Sequence, residues 1–438
     1  MGGFFIFTFM RVFGNYFLLS LYFFCYLIPQ YIPNLFLTFD RVVPQMLAIS
    51  ILNIFSFVYV YKNNDLKEFI SKFEYKTHLI SYLFFIIVST ISLVVADNFA
   101  EGVVTLVKLL NFFVAFCLIV ILSSNRNLNL LNYFIVASLL GLFVESLVIN
   151  IQVYNEVILN GSLLARDNSY SGFGANINIA SFSVLIKSII PIYLLYNHKS
   201  NIIKALSCFL IFFSFLAIFL LMSRAAVLSL SFVFISVLFL TVLSGKLKNY
   251  IRFGFMIISL AASIVSYNIV NEKNAYNILS ERFSNVTDPS ADESVNERLN
   301  FYTTAIQSIG ENPILGIGIG NWKIKSIDLS KEIIASYRVP YFAHNDFLQF
   351  TAEIGIIGGI CFIYFIFFPF ILSFKRTLGH KLFNSDFIIF MIFSIYIVDS
   401  MLNFPIARPI NFIYLCFTIA LFYQSKKYSL KWKGHYYL

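Results

Sequence analysis

Apolar stretches of about 20 residues recur along this chain from end to end, each long enough for an α-helix to cross a hydrocarbon layer. They are uninterrupted, which predicts helices and argues against a β-barrel, whose strands alternate polar and apolar residues. About twelve spans are predicted, at 12–29, 43–61, 78–96, 102–123, 132–152, 177–196, 202–222, 225–244, 253–270, 347–373, 387–402 and 409–424. The expected fold class is an all-α polytopic membrane protein.

The polar connections sort by charge. One alternate set holds Lys62, Lys67, Lys72 and Lys76, then Arg126, then Lys199 and Lys204, then Lys246, Lys248 and Arg252, then Lys375, Arg376 and Lys381. Lys426, Lys427, Lys431 and Lys433 follow in the tail. The other short loops hold Asp40 with Arg41, Asp97 with Glu101, and Glu156 with Arg166 and Asp167. The excess of lysine and arginine puts the first set, and both termini, in the cytoplasm.

One connection is long. Residues 271–345 make an extracytoplasmic segment of about 75 residues, a length that translocates regardless of its charge. Within it Ser294–Gly310 reads as a helix, with Leu299, Tyr302, Ile306 and Ile309 on one apolar face. Gly310 and Pro313 end it. Such a helix lies on the membrane surface or packs on the bundle. The expected organisation is therefore helices one to nine over 1–270, the outer loop over 271–345, helices ten to twelve over 346–424, and a basic cytoplasmic tail over 425–438.

Composition agrees. Of the 438 residues 59% are hydrophobic and only 12% charged, about half the charged fraction of a soluble domain. A net charge of +9 suggests nucleic acid, but the lysines lie in short loops where topology accounts for them, so no nucleic-acid partner is expected. The five cysteines all fall in predicted spans, with no disulfide framework or metal-ligand spacing. The first span is followed by Tyr31-Ile-Pro-Asn and not by a small-residue cleavage site, so no cleavable signal peptide is expected. The halves of the chain share no loop pattern, which weakens a transporter built from repeats.

Against this background a few polar residues stand out. Arg224, with Ser223, separates two apolar runs at an extracytoplasmic turn, where structural arginines are avoided. Arg298 lies in the first turns of the outer helix. Arg166 sits in a polar, glycine-bearing loop that feeds the sixth span at Asn176–Asn178. His344 opens the tenth span, with Asn345 or His344 itself as N-cap and Asp346 in the first turn. The positive helix end favours a neutral imidazole, able to take a proton from a hydroxyl, and also favours bound phosphate. Glu353, two turns in, and Asp399, in the eleventh span, are expensive in hydrocarbon unless paired or facing a polar cavity; either could orient an arginine or a histidine. Gly316-Ile-Gly-Ile-Gly-Asn-Trp follows Asn312-Pro-Ile-Leu and no βαβ strand, so it reads as a tight re-entrant turn with Trp322 at the interface, and not as a dinucleotide loop. The outer loops hold no Asp-x-Asp pair, so a phosphate leaving group here would rely on arginines, with no metal.

In order along the chain, these segments resemble the O-antigen ligase and polymerase superfamily. The segments are Arg166…Gly174-Ala-Asn-Ile-Asn178; Ser223-Arg-Ala-Ala; Arg298 through Ala305 to Asn312-Pro-Ile-Leu-Gly-Ile-Gly-Ile-Gly-Asn321; His344-Asn-Asp-Phe-Leu-Gln…Glu353-Ile-Gly-Ile-Ile-Gly358; and Asn403-Phe-Pro-Ile-Ala-Arg-Pro409. The resemblance covers roughly residues 160–410. It implies a GT-C-like glycosyltransferase of the bacterial inner membrane with its active site facing the periplasm, needing no metal or nucleotide cofactor. The donor would be an undecaprenyl-diphosphate-linked glycan. The acceptor would be lipid A–core for a ligase, or a second lipid-linked glycan for an O-antigen or capsule polymerase. Arg224 and Arg298 would bind the diphosphate and His344 would activate or position the acceptor hydroxyl. Arg166, Asn178, Asn321, Asn345 and Glu353 are the expected substrate-binding residues. A transporter of lipid-linked sugars is the alternative from another class; transport sites lie near the membrane midplane, whereas these polar residues gather at the outer surface.

Overall fold

A computed structural model describes residues 2–28, 42–63, 75–124, 128–161, 170–174, 176–271, 293–330, 340–379 and 382–431. Its helices are α1 (Gly2–Phe23), α2 (Val43–Lys62), α3 (Lys76–Ser92), α4 (Phe99–Ser123), α5 (Leu130–Val153), α6 (Ile177–Asn197), α7 (Asn201–Leu220), α8 (Arg224–Ser244), α9 (Leu247–Asn271), α10 (Glu293–Glu311), α11 (Trp322–Ser330), α12 (Asp346–Gly379), α13 (Ser385–Ser400) and α14 (Pro409–Lys431). Among the described residues there is no strand. Among the described residues nine helices are long and apolar enough to cross a membrane: α2 to α9 and α12. The other expected spans are also helices: α1, the shorter α13, and α14. The chain is an all-α polytopic membrane protein.

Burial explains the arrangement. α6 is the centre of the bundle, with 94% of its span buried, against 22% for α9 at the periphery. α6 packs on α5, α7 and α13; α12 packs on α3 and α13; α14 packs on α4 and α13. The outward faces of α2, α8 and α9 carry exposed Ile54, Phe55, Ile235 and Ile258, as lipid-facing surfaces require.

Two charges that the sequence reading passed over lie within the bundle. The Lys187 ammonium meets Glu145 at 2.9 Å, with both side chains almost fully buried. Ser183 receives a 2.6 Å hydrogen bond from Lys187 and donates one of 2.8 Å to Glu145. The rings of Tyr26 and Tyr414 each sit 5.1 Å from the ammonium. A charge in an apolar span persists only with such partners, so this cluster ties α5 to α6.

The helix expected over 294–310 appears as α10; of its expected apolar face Tyr302 and Ile309 are partly buried, but Leu299 and Ile306 are not. Phe301, Thr304, Ala305, Ser308 and Ile309 turn inward, while Leu299 and Ile306 are 47% and 59% exposed. The small residues let α10 approach Trp322, Ala343 and Ala352, with which Ala305 forms a separate apolar cluster. α10 therefore packs on the bundle. Trp322 is fully buried there, not at the interface, and meets Phe301 edge to face at 6.3 Å.

The glycine loop between α10 and α11 enters a break in α12. Gly355 has φ 76° and ψ 174°, which interrupts the helix. The amide of Ile356 then bonds to Pro313 O, and that of Ile317 to Ala352 O. A Cβ on Gly355 would lie 2.1 Å from the Ile314 oxygen, so only glycine fits.

Candidate active site

His344 is held from several sides. Its φ of 55° is left-handed, a conformation that costs a residue with a side chain about 1 to 3 kcal/mol unless the surroundings enforce it. Asn345 is the N-cap of α12, its side-chain oxygen accepting the Leu348 amide at 3.0 Å. Gln349, one turn on, accepts the Ala343 amide at 3.0 Å and donates to Glu353 at 3.3 Å. Glu353 in turn accepts the amides of Gly320 and Trp322 at 3.0 and 3.2 Å. A continuous chain of bonds thus runs from the glycine loop to the residue before His344.

The side chain of His344 is half-buried between rings. Phe301 stacks on it at 6.4 Å, and Phe404 meets it nearly edge to face at 5.2 Å. From α10, Tyr302 donates to the His344 carbonyl at 3.1 Å and to the Met401 carbonyl at 2.8 Å. Arg298 lies one turn earlier on the same helix. Burial pushes the Tyr302 phenol above its ordinary range, and the Arg298 guanidinium beside it pulls it partly back. Arg298 is also close enough to Asp399 for their charges to interact. Asp399 receives the Asn403 amide at 2.7 Å, and Asp346 accepts the Ile406 amide at 3.3 Å.

Arg224 is placed by a second junction. Ser223 caps α8 and donates to the Asn178 side chain at 3.0 Å, so the start of α8 is fastened to the start of α6. Met222, just before, is the other non-glycine residue with positive φ among those described. Next to Asn178, Ile179 joins Tyr26, Phe404 and Ile410 in one apolar cluster. Phe404 of that cluster is also the ring that meets His344.

The expected residues divide accordingly. His344, Asn345 and Arg298 lie around the Tyr302 contact, and Asn178 is bonded to Ser223, the residue before Arg224. Asn321 is buried farther along the glycine loop, where it accepts the Asn98 amide at 2.7 Å and fixes the loop to the turn before α4. Glu353 is fully buried and turned to the loop amides, so it supports His344 through Gln349. Arg166 lies outside the described residues. Sequence reasoning put Tyr302 on an apolar helix face and Gln349 and Arg408 in family-like segments, but gave none of the three a role at the site. The Arg408 guanidinium sits 5.3 Å from the Phe404 ring and 5.7 Å from that of Phe342. The available signal was a cation immediately before Pro409, which opens α14. Among the described residues no group of three His, Cys, Asp or Glu side chains could hold a metal ion.

No curated protein matches the chain. The family model described as O-antigen ligase matches residues 209–363, the stretch that contains Arg224, Arg298, the glycine loop, His344 and Glu353. That stretch carries the strained histidine, the arginine helix docked on it and the loop that supports both, and over it the chain is similar to the O-antigen ligase family.

Proposed function

We propose that this protein is an O-antigen ligase-like glycosyltransferase that moves a glycan from undecaprenyl diphosphate to an acceptor hydroxyl, with lipid A–core as the acceptor, at the periplasmic face of the inner membrane. The observation that supports this most is the docking of α10 on His344 through Tyr302, one turn from Arg298, where the histidine has a strained backbone. Arg298 and Arg224 bind the donor diphosphate, guanidinium groups being matched to phosphate oxygens. His344 holds the acceptor hydroxyl and receives its proton. The acceptor oxygen bonds to the anomeric carbon from the face opposite the leaving group, the glycosyl C–O electrons pass to the diphosphate, and the configuration inverts. Asn178 sets the Arg224 turn, Asn345 caps the helix that presents His344, and Glu353 and Asn321 hold the loop behind it. Arg166 is assigned to the same polar site from its sequence position alone. No metal or nucleotide enters the scheme, since the leaving group asks for charge stabilisation and the arginines supply it.

Incubating purified protein with an undecaprenyl-diphosphate glycan, lipid A–core and EDTA tests this by gel shift. Glycan on core is the expected product. Growth of the donor chain would make the protein a polymerase of the same superfamily. Neither product would favour transport.

A further inference from the structure

Arg408, at the start of α14, reaches the rings that surround His344. Its guanidinium lies over Phe342 and Phe404, which stack on each other at 4.0 Å. Phe404 meets the His344 ring at 5.2 Å, and Phe342 is two residues before His344. The guanidinium therefore packs beside the stacked pair, which limits the orientations open to the planar cation. The Arg408 carbonyl accepts the amides of Asn411 and Phe412, which puts the residue at the positive end of α14. Arg408 is half-buried.

Charge balance gives this position a use, on the reading of the site as a glycosyl transferase. A lipid-diphosphate donor carries one negative charge on each phosphate. As the glycosyl C–O bond breaks, its electron pair goes to the terminal phosphate oxygen, and the diphosphate gains another charge. The acceptor oxygen meanwhile bonds to the anomeric carbon and loses its proton to His344. Arg224 and Arg298 match the charge of the bound donor, but Asp399 offsets part of Arg298. The charge that develops in the transition state needs a further cation. We infer that Arg408 is a substrate-binding residue that contacts the departing diphosphate and stabilises the charge it gains.

The test uses the full-length protein in nanodiscs with an undecaprenyl-diphosphate glycan, comparing R408M, R408Q and R408K. Methionine keeps a stem on the two rings without the charge, and R408Q is a second neutral variant should R408M fold poorly. The expected result is a fall in kcat of about 100-fold in the neutral variants, with donor KM within roughly threefold and partial recovery in R408K. The Ki of free undecaprenyl diphosphate, which bears the extra charge, should rise about tenfold or more, an effect that loss of packing alone would not single out. Wild-type kcat and Ki in a folded neutral variant, with R298A and H344A inactive, would overturn the inference and leave the transfer reading standing. Wild-type transfer by R298A and H344A as well would overturn both.

Discussion

The Tyr302 hydroxyl shares its one hydrogen between the carbonyls of His344 at 3.1 Å and Met401 at 2.8 Å, so one side chain fastens α10 to both segments that frame the site. Tyr302→Phe removes those bonds and keeps the ring. The shared hydrogen bond is worth about 1 kcal/mol net, and losing that much transition-state stabilisation through misplacement of His344 or Arg298 lowers the rate about fivefold. We expect kcat to fall while the melting temperature stays within a few degrees of wild type. Unchanged turnover would show that α10 is held in place without this hydroxyl.

Glu353 is buried, and its carboxylate answers the amides of Gly320 and Trp322 and the Gln349 side chain. Glu353→Ala leaves those donors without an acceptor, at about 1 to 3 kcal/mol for each buried group. Glu353→Gln keeps one oxygen and should fall between. Thermal unfolding in detergent ranks them, wild type above Gln above Ala. An alanine variant as stable as wild type would mean that the glycine loop does not depend on this carboxylate.

Glycine tolerance should follow local geometry. Gly355 combines positive φ with a 2.1 Å approach to the Ile314 oxygen, whereas a Cβ on Gly254, within α9, would meet nothing within 4 Å. Gly355→Ala should lower the yield of folded protein sharply. Gly254→Ala should be neutral or stabilise by up to about 1 kcal/mol, the helix-propensity difference. Comparable yields from the two would contradict the described insertion of the glycine loop into α12.

The Glu145–Lys187 pair carries a different expectation. Lys187→Met alone strands a buried carboxylate, at about 3 to 5 kcal/mol, while replacing both partners with apolar residues of similar size removes most of that cost. The melting temperature should therefore drop in K187M and recover in the E145L/K187M double variant. A double variant no better than the single would mean that the pair has a use beyond joining α5 to α6.

Periodicity and charge asymmetry made the helices readable, because a membrane span must satisfy its backbone internally and declare itself in length. The candidate site residues were readable as residue types: an arginine at a turn, a histidine before a helix, an arginine on the helix of the long loop. What joins them was not. The face of α10 was misread because burial there follows small residues, Ala305 and Ser308, that let helices approach, and not the large apolar Leu299 and Ile306. Trp322 was expected at the interface because interfacial tryptophans are common, yet tertiary packing covers it completely. Glu353 and Asn321 looked like ligands for substrate, but their partners are amides and carbonyls of loops remote in sequence. Lys187 and Glu145 were legible as lone charges in apolar runs, and only their pairing needed the fold.

The most direct test is transfer from an undecaprenyl-diphosphate glycan to lipid A–core by purified protein in EDTA, comparing wild type with H344A and R298A. Product from wild type, with loss of about 100-fold or more in each variant at unchanged melting temperature, is the expected result for groups that act in the transition state. Wild-type rates in both variants would contradict the placement of the reaction at His344.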